Sequence, residues 1–392
     1  ACRSRSHRRP LVRYKSFGFT DHQLMIRDTI IGLMERELPP EKIEALEKAS
    51  AYPEDAFKVL ADEGWLALPY AEEHGGADAT YKDMAVFIEA LAYVHPGITS
   101  AYMTTVIYGG MQLARNGNDW MRSELMPELL AGRLKMAIAM SEPSGGSDLA
   151  KIKTRAVPDG DDWVLSGQKV YITNAHVADR LVVAAKTDPD AGRHGMSLLL
   201  VDTKADGVEI RPMDPLGRRT SLPNEVFFDE VRVSEREVIG QVGEGWKLLM
   251  PGLNLERLLL AAASAGQCLK IVELARDWAV EREAFGQKIT EFQAISHKFA
   301  EMQMMTETAR LHSFHVADML DAGENPVMET AIAKTLATEY NLAVADMAMQ
   351  VMGGAGYMMG PIARLYADAR VGPIGGGSSE IMRNVIAKQI LT

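Results

Sequence analysis

The feature that most constrains the fold is a double switch in hydrophobic period. From Thr20 to about Gly132, apolar residues recur three and four apart: Leu24, Ile31, Leu33 and Met34, then Ala56, Val59 and Leu60, then Met84, Ile88 and Leu91. That spacing places them on one face of a helix. Pro39-Pro40, Gly75-Gly76, Pro96-Gly97 and Gly117 mark the joints between helices. From Lys135 the pattern becomes short strand-like runs at 136–140, 163–165, 169–172, 181–185, 197–201, 208–210 and 225–228, divided by turn residues. After Gly245 the helical period returns in long segments at 246–285, 291–322 and 326–352. The 392 residues exceed one ordinary domain. The pattern therefore predicts an α+β chain: an N-terminal helical domain (17–134), a middle β domain (135–240) built as a small antiparallel barrel or sandwich, and a C-terminal helical domain (241–392).

Charge and cysteine content narrow the function. Residues 1–16 carry six bases (Arg3, Arg5, Arg8, Arg9, Arg13 and Lys15) and no acid. The remainder holds 36 bases against 53 acids, a net −17 that repels nucleic-acid phosphate. No nucleic-acid partner is expected. The basic start lacks an apolar stretch, and reads as a disordered tail or a transit or expression remnant rather than a signal peptide. Two cysteines, Cys2 and Cys268, support neither a disulfide framework nor a Cys-rich zinc site, and fit a reducing compartment. The apolar run at 258–266 is too short to span a bilayer, and the one near Ile88 is broken by Glu89, His95 and Pro96, so no membrane span is expected.

Several motifs carry chemistry. Met140-Ser141-Glu142-Pro143-Ser144-Gly145-Gly146-Ser147-Asp148 sets small residues and hydroxyls directly after a strand, a turn that lets backbone N–H groups approach a flat or phosphorylated ligand; such clusters are more often plain turns. In Tyr171-Ile172-Thr173-Asn174, strand alternation would put the aromatic and the hydroxyl on one face, where they suit a heterocycle, although a half-buried strand face is the plainer reading. Gly353-Gly354 and Gly356 exceed what a helix stop needs. Gly375-Gly376-Gly377 precedes Ser378 and Ser379, either of which suits a helix cap. No G-x-G-x-x-G or phosphate-loop lysine motif occurs. His312 and His315 stand one turn apart without a third ligand, and no metal site is expected. Glu256 is the most informative residue: its helical neighbours are Gly252, Leu253, Leu259 and Leu260. Desolvation there would raise its pKa towards that of a general base. From periodicity alone, a base and an edge carboxylate paired to a cation stand equally.

Taken together, Glu72-Glu73-His74-Gly75-Gly76, the Ser141-Glu142-Pro143 turn, Tyr171-Ile172-Thr173-Asn174, Arg282 with Phe285-Gly286, Gln350 with Gly353-Gly354, and the closing Gly377-Ser378-Ser379-Glu380-Ile381 resemble the acyl-CoA dehydrogenase family, from about Phe17 to Thr392. The resemblance implies a C-terminal four-helix bundle and a homotetramer, with FAD held between the β domain and a neighbouring subunit. Met140, Ser141, Tyr171 and Thr173 would meet the flavin, and Ser147 would lie near the pyrophosphate and the substrate. Arg282, Phe285, Gln293, Gln350, Gly353 and Gly354 would come from the partner, with Ser378 and Glu380 completing the site. Asn254 and Arg257 would touch CoA. Most members carry a catalytic Glu where this chain has Gly376. A subgroup that includes isovaleryl-CoA and long-chain dehydrogenases carries it instead where Glu256 stands.

The implied reaction is α,β-dehydrogenation of an acyl-CoA to a trans-2-enoyl-CoA. Glu256 would take the α-proton, the Gly376 N–H and a flavin hydroxyl would polarise the thioester carbonyl, and flavin N5 would accept hydride. An electron-transferring flavoprotein would reoxidise the cofactor. Lys151 and a one-residue shortening at 358–364 depart from the family pattern. Gly375 and Gly376 together would open the pocket roof to a branched, cyclic or polar acyl group. The expected location is the bacterial cytoplasm, or alternatively a mitochondrial matrix. Competing readings are an acyl-CoA oxidase, a flavin monooxygenase and a catalytically silent scaffold.

Overall fold

The structure is a computed structural model and describes residues 17–250 and 252–391; the basic tail lies outside these. The first helical layer comprises α1 (Asp21–Glu37), α2 (Pro40–Ala49), α3 (Glu54–Asp62), α4 (Tyr81–Val94), α5 (Pro96–Tyr102), a π-helical stretch (Met103–Gly110), α6 (Met111–Asn116), a second π turn (Met121–Leu125) and α7 (Met126–Leu130). Capping boxes start the two longest: Thr20 with Gln23 for α1, and Thr80 with Asp83 for α4. The β layer holds β1 (Met136–Ala139), β2 (Arg155–Asp159), β3 (Asp162–Lys169), β4 (Arg180–Lys186), β5 (Met196–Asp202), β6 (Val208–Pro212), β7 (Asn224–Ser234) and β8 (Val238–Ile239). The last layer holds α8 (Gly245–Leu249), α9 (Gly252–Glu281), a small hairpin of β9 (Glu283–Ala284) and β10 (Gln287–Lys288), α10 (Gln293–Asp321), α11 (Val327–Met352), α12 (Gly354–Tyr357), α13 (Pro361–Ala369) and α14 (Ser379–Leu391).

The helix–sheet–helix order matches the hydrophobic period, but the sheet differs from the expected antiparallel barrel. It is open, in the order β6-β7-β3-β2-β4-β5-β8 with β1 also on β4, and both β1 and β2 run parallel to β4. Strand β2 escaped the pattern because only Ala156 on it is buried. Residues 163–165 belong to the longer β3, which continues through an irregularity near Gly167 to Lys169. The expected strand at 169–172 leaves the sheet there, because Tyr171 has φ 61° and Asn174 φ 62°, conformations no strand contains. The expected helix at 246–285 is likewise two helices followed by the hairpin.

The helical layers share one core. Ile30, Met34, Phe87 and Leu91 pack in the same cluster as Leu258, Leu259, Ala262, Phe314 and Ala333. Val182, Ala184, Leu198 and Leu200 on one face of the sheet join it, while Leu181, Val183 and Leu199 face a second core within the β layer. At the crossing of α4 and α9, a Cβ on Gly266 would overlap the Glu89 carbonyl oxygen. Beside it the fully buried Arg310 donates from Nε to Glu89 Oε1 at 2.7 Å. The stretch Gly245–Glu281 is long and apolar enough to cross a membrane by length and composition alone, yet 78% of its apolar window is buried within this core.

Candidate active site

Glu256 projects from the beginning of α9 into a cavity of about 300 Å³ whose walls include Ile107, Tyr108, Met111, Met140 and Leu253. Burial among these apolar side chains raises its pKa above the usual carboxylate range. The Arg257 charge, a hydrogen bond from the Tyr108 hydroxyl and the Lys334 charge oppose that rise without cancelling it. Burial, reinforced by the Glu256 charge, holds the Tyr108 hydroxyl well above its ordinary pKa, so it remains a donor.

The glycine turn after α13 closes on the same point. Gly376 has φ +64°, and a Cβ built on it would lie 3.5 Å from Glu256 Oε1 and overlap Leu260 Cδ1. Positions 256 and 376 therefore address one place in the cavity. Leu260 fills the space beside Gly376, whereas Gly375 is exposed and a Cβ on it would meet only the Val371 carbonyl oxygen, at 3.7 Å; open space is found at position 375 and not at 376. The Gly376 N–H has no partner among the described residues. The turn is pinned from below by Lys334, a fully buried side chain that donates to the carbonyls of Gly372 at 2.8 Å and Gly377 at 2.7 Å. Burial pulls Lys334 down to about 8, with the Glu256 charge acting in the opposite sense.

Two loops of the β layer lie together. The Val170 N–H donates to the Ser141 carbonyl at 2.9 Å, joining the turn that carries Met140, Ser141 and Ser147 to the one that carries Tyr171 and Thr173. Beneath them the buried Glu142 accepts from Lys169 Nζ at 2.8 Å, from the Lys153 N–H at 2.6 Å and from the Thr154 N–H at 2.9 Å. Burial works to raise Glu142, but the Lys169 charge and these bonds outweigh it and hold the carboxylate below its usual range. Lys169 is drawn by burial to about 8, and also donates to the Met140 carbonyl at 3.1 Å. Above this anchor, Tyr171 is 66% exposed on a left-handed backbone. An aromatic ring held outward at that conformational cost, beside the partly open hydroxyls of Ser141 and Thr173, suits a flat heterocycle.

A second group gathers at the opposite end of α9. Arg282, Phe285, Gly353 and Gly354 line a cavity of about 540 Å³ with Trp278 and Phe292. Phe285 is 96% exposed with φ 52°, and a Cβ on Gly353 or Gly354 would meet nothing within 4 Å. Ring, guanidinium and bare backbone together suit an aromatic base with phosphates. Gln293 and Gln350 are exposed next to this cavity without lining it. At 1.5 Å per residue, Arg282 lies about 39 Å along the helix from Glu256, farther than one dinucleotide reaches.

The remaining predicted residues are dispersed. Ser147 is exposed in its turn. Asn254 donates to Asn325 Oδ1 at 2.9 Å, and Arg257 keeps a buried Nε without a partner. Ser378 caps α14 by accepting from the Ile381 N–H at 3.3 Å, while Glu380 is exposed in the first turn of that helix.

Three family models cover nearly the whole chain: the N-terminal domain of acyl-CoA dehydrogenase at residues 20–133, the middle domain at 137–231 and the C-terminal domain at 243–391. The chain belongs to the acyl-CoA dehydrogenase family. It is 32% identical to an acyl-CoA dehydrogenase of Bacillus subtilis over 95% of this chain and 98% of that one. It is 33% identical to the mitochondrial long-chain specific acyl-CoA dehydrogenase of Mus musculus, over 95% and 87% respectively. The crystal structure of an acyl-CoA dehydrogenase from Geobacillus kaustophilus superposes with a TM-score of 0.91 at 32% identity, covering 96% of this chain and 99% of that one. The chain is thus a flavin oxidoreductase of the acyl-CoA dehydrogenase family with FAD as its cofactor.

Tyr108 and Lys334 were not foreseen. Lys334 carried the same signal as Glu256, a charge inside an apolar helical stripe from Ala331 to Ala337. Tyr108 carried none, because its partner lies on a distant helix.

Proposed function

We propose that this protein dehydrogenates an acyl-CoA thioester to the trans-2-enoyl-CoA, with Glu256 as the α-proton acceptor. The observation that carries this reading is a carboxylate with a raised pKa at the cavity wall, 3.5 Å from where a Cβ on Gly376 would sit, on a turn whose Gly376 N–H has no partner among the described residues. The α-proton of a thioester is only weakly acidic, so the carbonyl must be polarised while a desolvated base removes the proton. Gly376 supplies a fixed donor on a turn that Lys334 holds, and Glu256 supplies the base. The Tyr108 hydroxyl and the Lys334 and Arg257 charges keep the carboxylate ionisable despite its apolar surroundings. Asn254 and Arg257 would meet the CoA portion, with Gly375 and Ser147 toward the substrate.

FAD would be held by Met140, Ser141, Tyr171 and Thr173, with Ser147 toward its phosphates, and would supply the hydride acceptor. Arg282, Phe285, Gln293, Gln350, Gly353 and Gly354 of a second copy would hold the other half of the cofactor, with Ser378 and Glu380 at the junction, a reading supported by the roughly 39 Å of helix between Glu256 and Arg282. A homotetramer reoxidised by an electron-transferring flavoprotein fits this arrangement.

The test is anaerobic bleaching of the bound flavin by straight, branched, aromatic and polar acyl-CoAs, for the wild type and Glu256→Gln. Bleaching by one class that disappears in the variant supports the reading. A flavin-loaded protein that no acyl-CoA bleaches, or a Glu256→Gln variant that bleaches as well as the wild type, overturns it.

A further inference from the structure

One cation near this site is used by nothing described so far. Arg218 lies in the loop between β6 and β7, and its backbone is fixed: φ is 55°, its N–H donates to Asp368 Oδ1, and a Cβ on the preceding Gly217 would overlap the backbone of Ala367 and Asp368 on α13. The side chain runs to α5, where Nη1 donates to Ser100 Oγ at a long 3.4 Å. Nε is buried without a partner, and no other bond from the guanidinium occurs among the described residues. A guanidinium carries five N–H donors, and buried donors are almost always satisfied. The residue as a whole is only partly exposed.

One face of a single helical run leads from Arg218 to Tyr108 in the wall of the Glu256 cavity. Ser100, Thr104 and Tyr108 follow one another along α5 and the π-helical stretch. Ser100 meets Arg218, Thr104 accepts from Asn174 Nδ2 at 3.1 Å, and Tyr108 donates to Glu256. Asn174 Oδ1 is also buried without a partner. From the base outward, this face offers hydroxyls, an unmet acceptor and an unmet donor in place of the hydrocarbon that a plain alkyl chain requires. Arg218 and Tyr108 are close enough to feel each other's charge.

Resting on the dehydrogenase reading, we propose that Arg218 forms the distal end of the acyl site and selects acyl groups that carry an oxygen acceptor beyond Cβ. The acceptor fills the N–H groups that the protein leaves unmet, which a methyl terminus cannot do without stranding them. Asp368 stands against Arg218, and Glu47, bonded to His95 and close to Thr220, stands behind Asp368. These carboxylates answer the guanidinium charge, so selection rests on hydrogen-bond geometry and includes keto as well as carboxylate oxygens.

The test compares valeryl-CoA, levulinyl-CoA and glutaryl-CoA, which share a chain length and end in an alkyl group, a ketone and a carboxylate. Anaerobic flavin reduction gives kcat/KM for each with the flavin-loaded wild type, Arg218→Met and Arg218→Lys. The expected result is a preference of about tenfold or more for at least one oxygen-bearing chain over valeryl-CoA. Arg218→Met should abolish that preference, with a full flavin complement and cooperative melting showing that the variant is folded. Should Arg218→Met fail to fold, Arg218→Lys, which keeps the charge without the planar fork, should lose most of the preference. Preference for levulinyl-CoA over glutaryl-CoA supports a neutral acceptor, and the reverse an anionic one. Equal or better turnover of valeryl-CoA by the wild type, or an oxygen preference that survives in Arg218→Met, overturns the proposal. If none of the three reduces the flavin while other acyl-CoAs do, this proposal alone falls; if no acyl-CoA does, the dehydrogenase reading falls with it.

Discussion

Replacing Lys334 with Met would test both the pinning of the glycine turn and the cost of burying its ammonium. The substitution keeps the aliphatic stem and removes the donors to Gly372 and Gly377. Two charge-assisted bonds contribute roughly 1.5–3 kcal/mol each. Against them stands desolvation: a lysine at about 8 in the folded chain, against its ordinary 10.5, pays about 3 kcal/mol to stay charged in the fold. Below pH 8 both folded and unfolded chains hold the proton, and the wild type carries the whole cost. Between about 8 and 10.5 the unfolded chain holds more protons than the folded one, so wild-type stability rises with pH by up to about 1.4 kcal/mol per unit. Methionine has no such dependence. The stability difference, wild type minus Lys334→Met, should therefore grow by about 3 kcal/mol across that window. At neutral pH the opposing contributions should leave the two proteins within about 2 kcal/mol of each other. Urea unfolding of both flavin-loaded proteins at a series of pH values measures the difference, in which other titrating groups cancel. A difference that stays flat from neutral pH to the lysine range would refute the desolvated ammonium. Turnover near neutral pH should fall well below wild type even where stability is matched, because the turn carrying Gly376 loses its anchor.

Three further perturbations have definite directions. Glu256→Gln should stop flavin bleaching yet raise the melting temperature; its folded pKa lies above 4.5, so wild-type stability is lost as pH rises through that range, and a melting difference that shrinks with rising pH would contradict this. Gly376→Ala places a Cβ against Leu260 in a left-handed conformation, and should cost about 1–3 kcal/mol in denaturant unfolding together with most of the turnover. Lys169→Met strands the Glu142 carboxylate beneath the Ser141 turn, and should cost about 3–5 kcal/mol and release FAD on gel filtration. Retention of a full flavin complement would show that the pair does not hold that turn.

The layer order was readable because burial imposes a period of about 3.6 on helices and 2 on strands, and those periods change near Lys135 and Gly245. Strand pairing was not, since a parallel partner such as β4 for β1 leaves no local trace. Glu256 stood out because an acid among leucines is costly. Lys334 presented the same anomaly, but a lysine stem is apolar and its charge ordinarily reaches solvent, so the stripe looked unbroken. The Tyr171 segment was misjudged for a physical reason: alternation of polarity also arises in a turn that buries Ile172 while turning Tyr171 outward. Arg218 gave no signal, because its partners, Ser100 and Asp368, are far away in the chain.

The locked crossing of α4 and α9 has a mechanical consequence. Tyr108 lies on the helical run that follows α4 after a break at His95 and packs back on it through Tyr102 against Phe87, rings 4.7 Å apart, while Glu256 rides on α9; a missing Cβ at Gly266 lets α4 lie against α9, and Arg310 of α10 clasps Glu89 of α4 beside that crossing. The hydrogen bond from hydroxyl to carboxylate therefore ties together two walls of the cavity held at a fixed spacing, not the two sides of a sprung jaw. An acyl group too thick for the cavity is refused at the threshold instead of being accommodated, and altered tolerance should come from changing the lining, such as Met111 or Leu253, while the spacing of the helices stays constant.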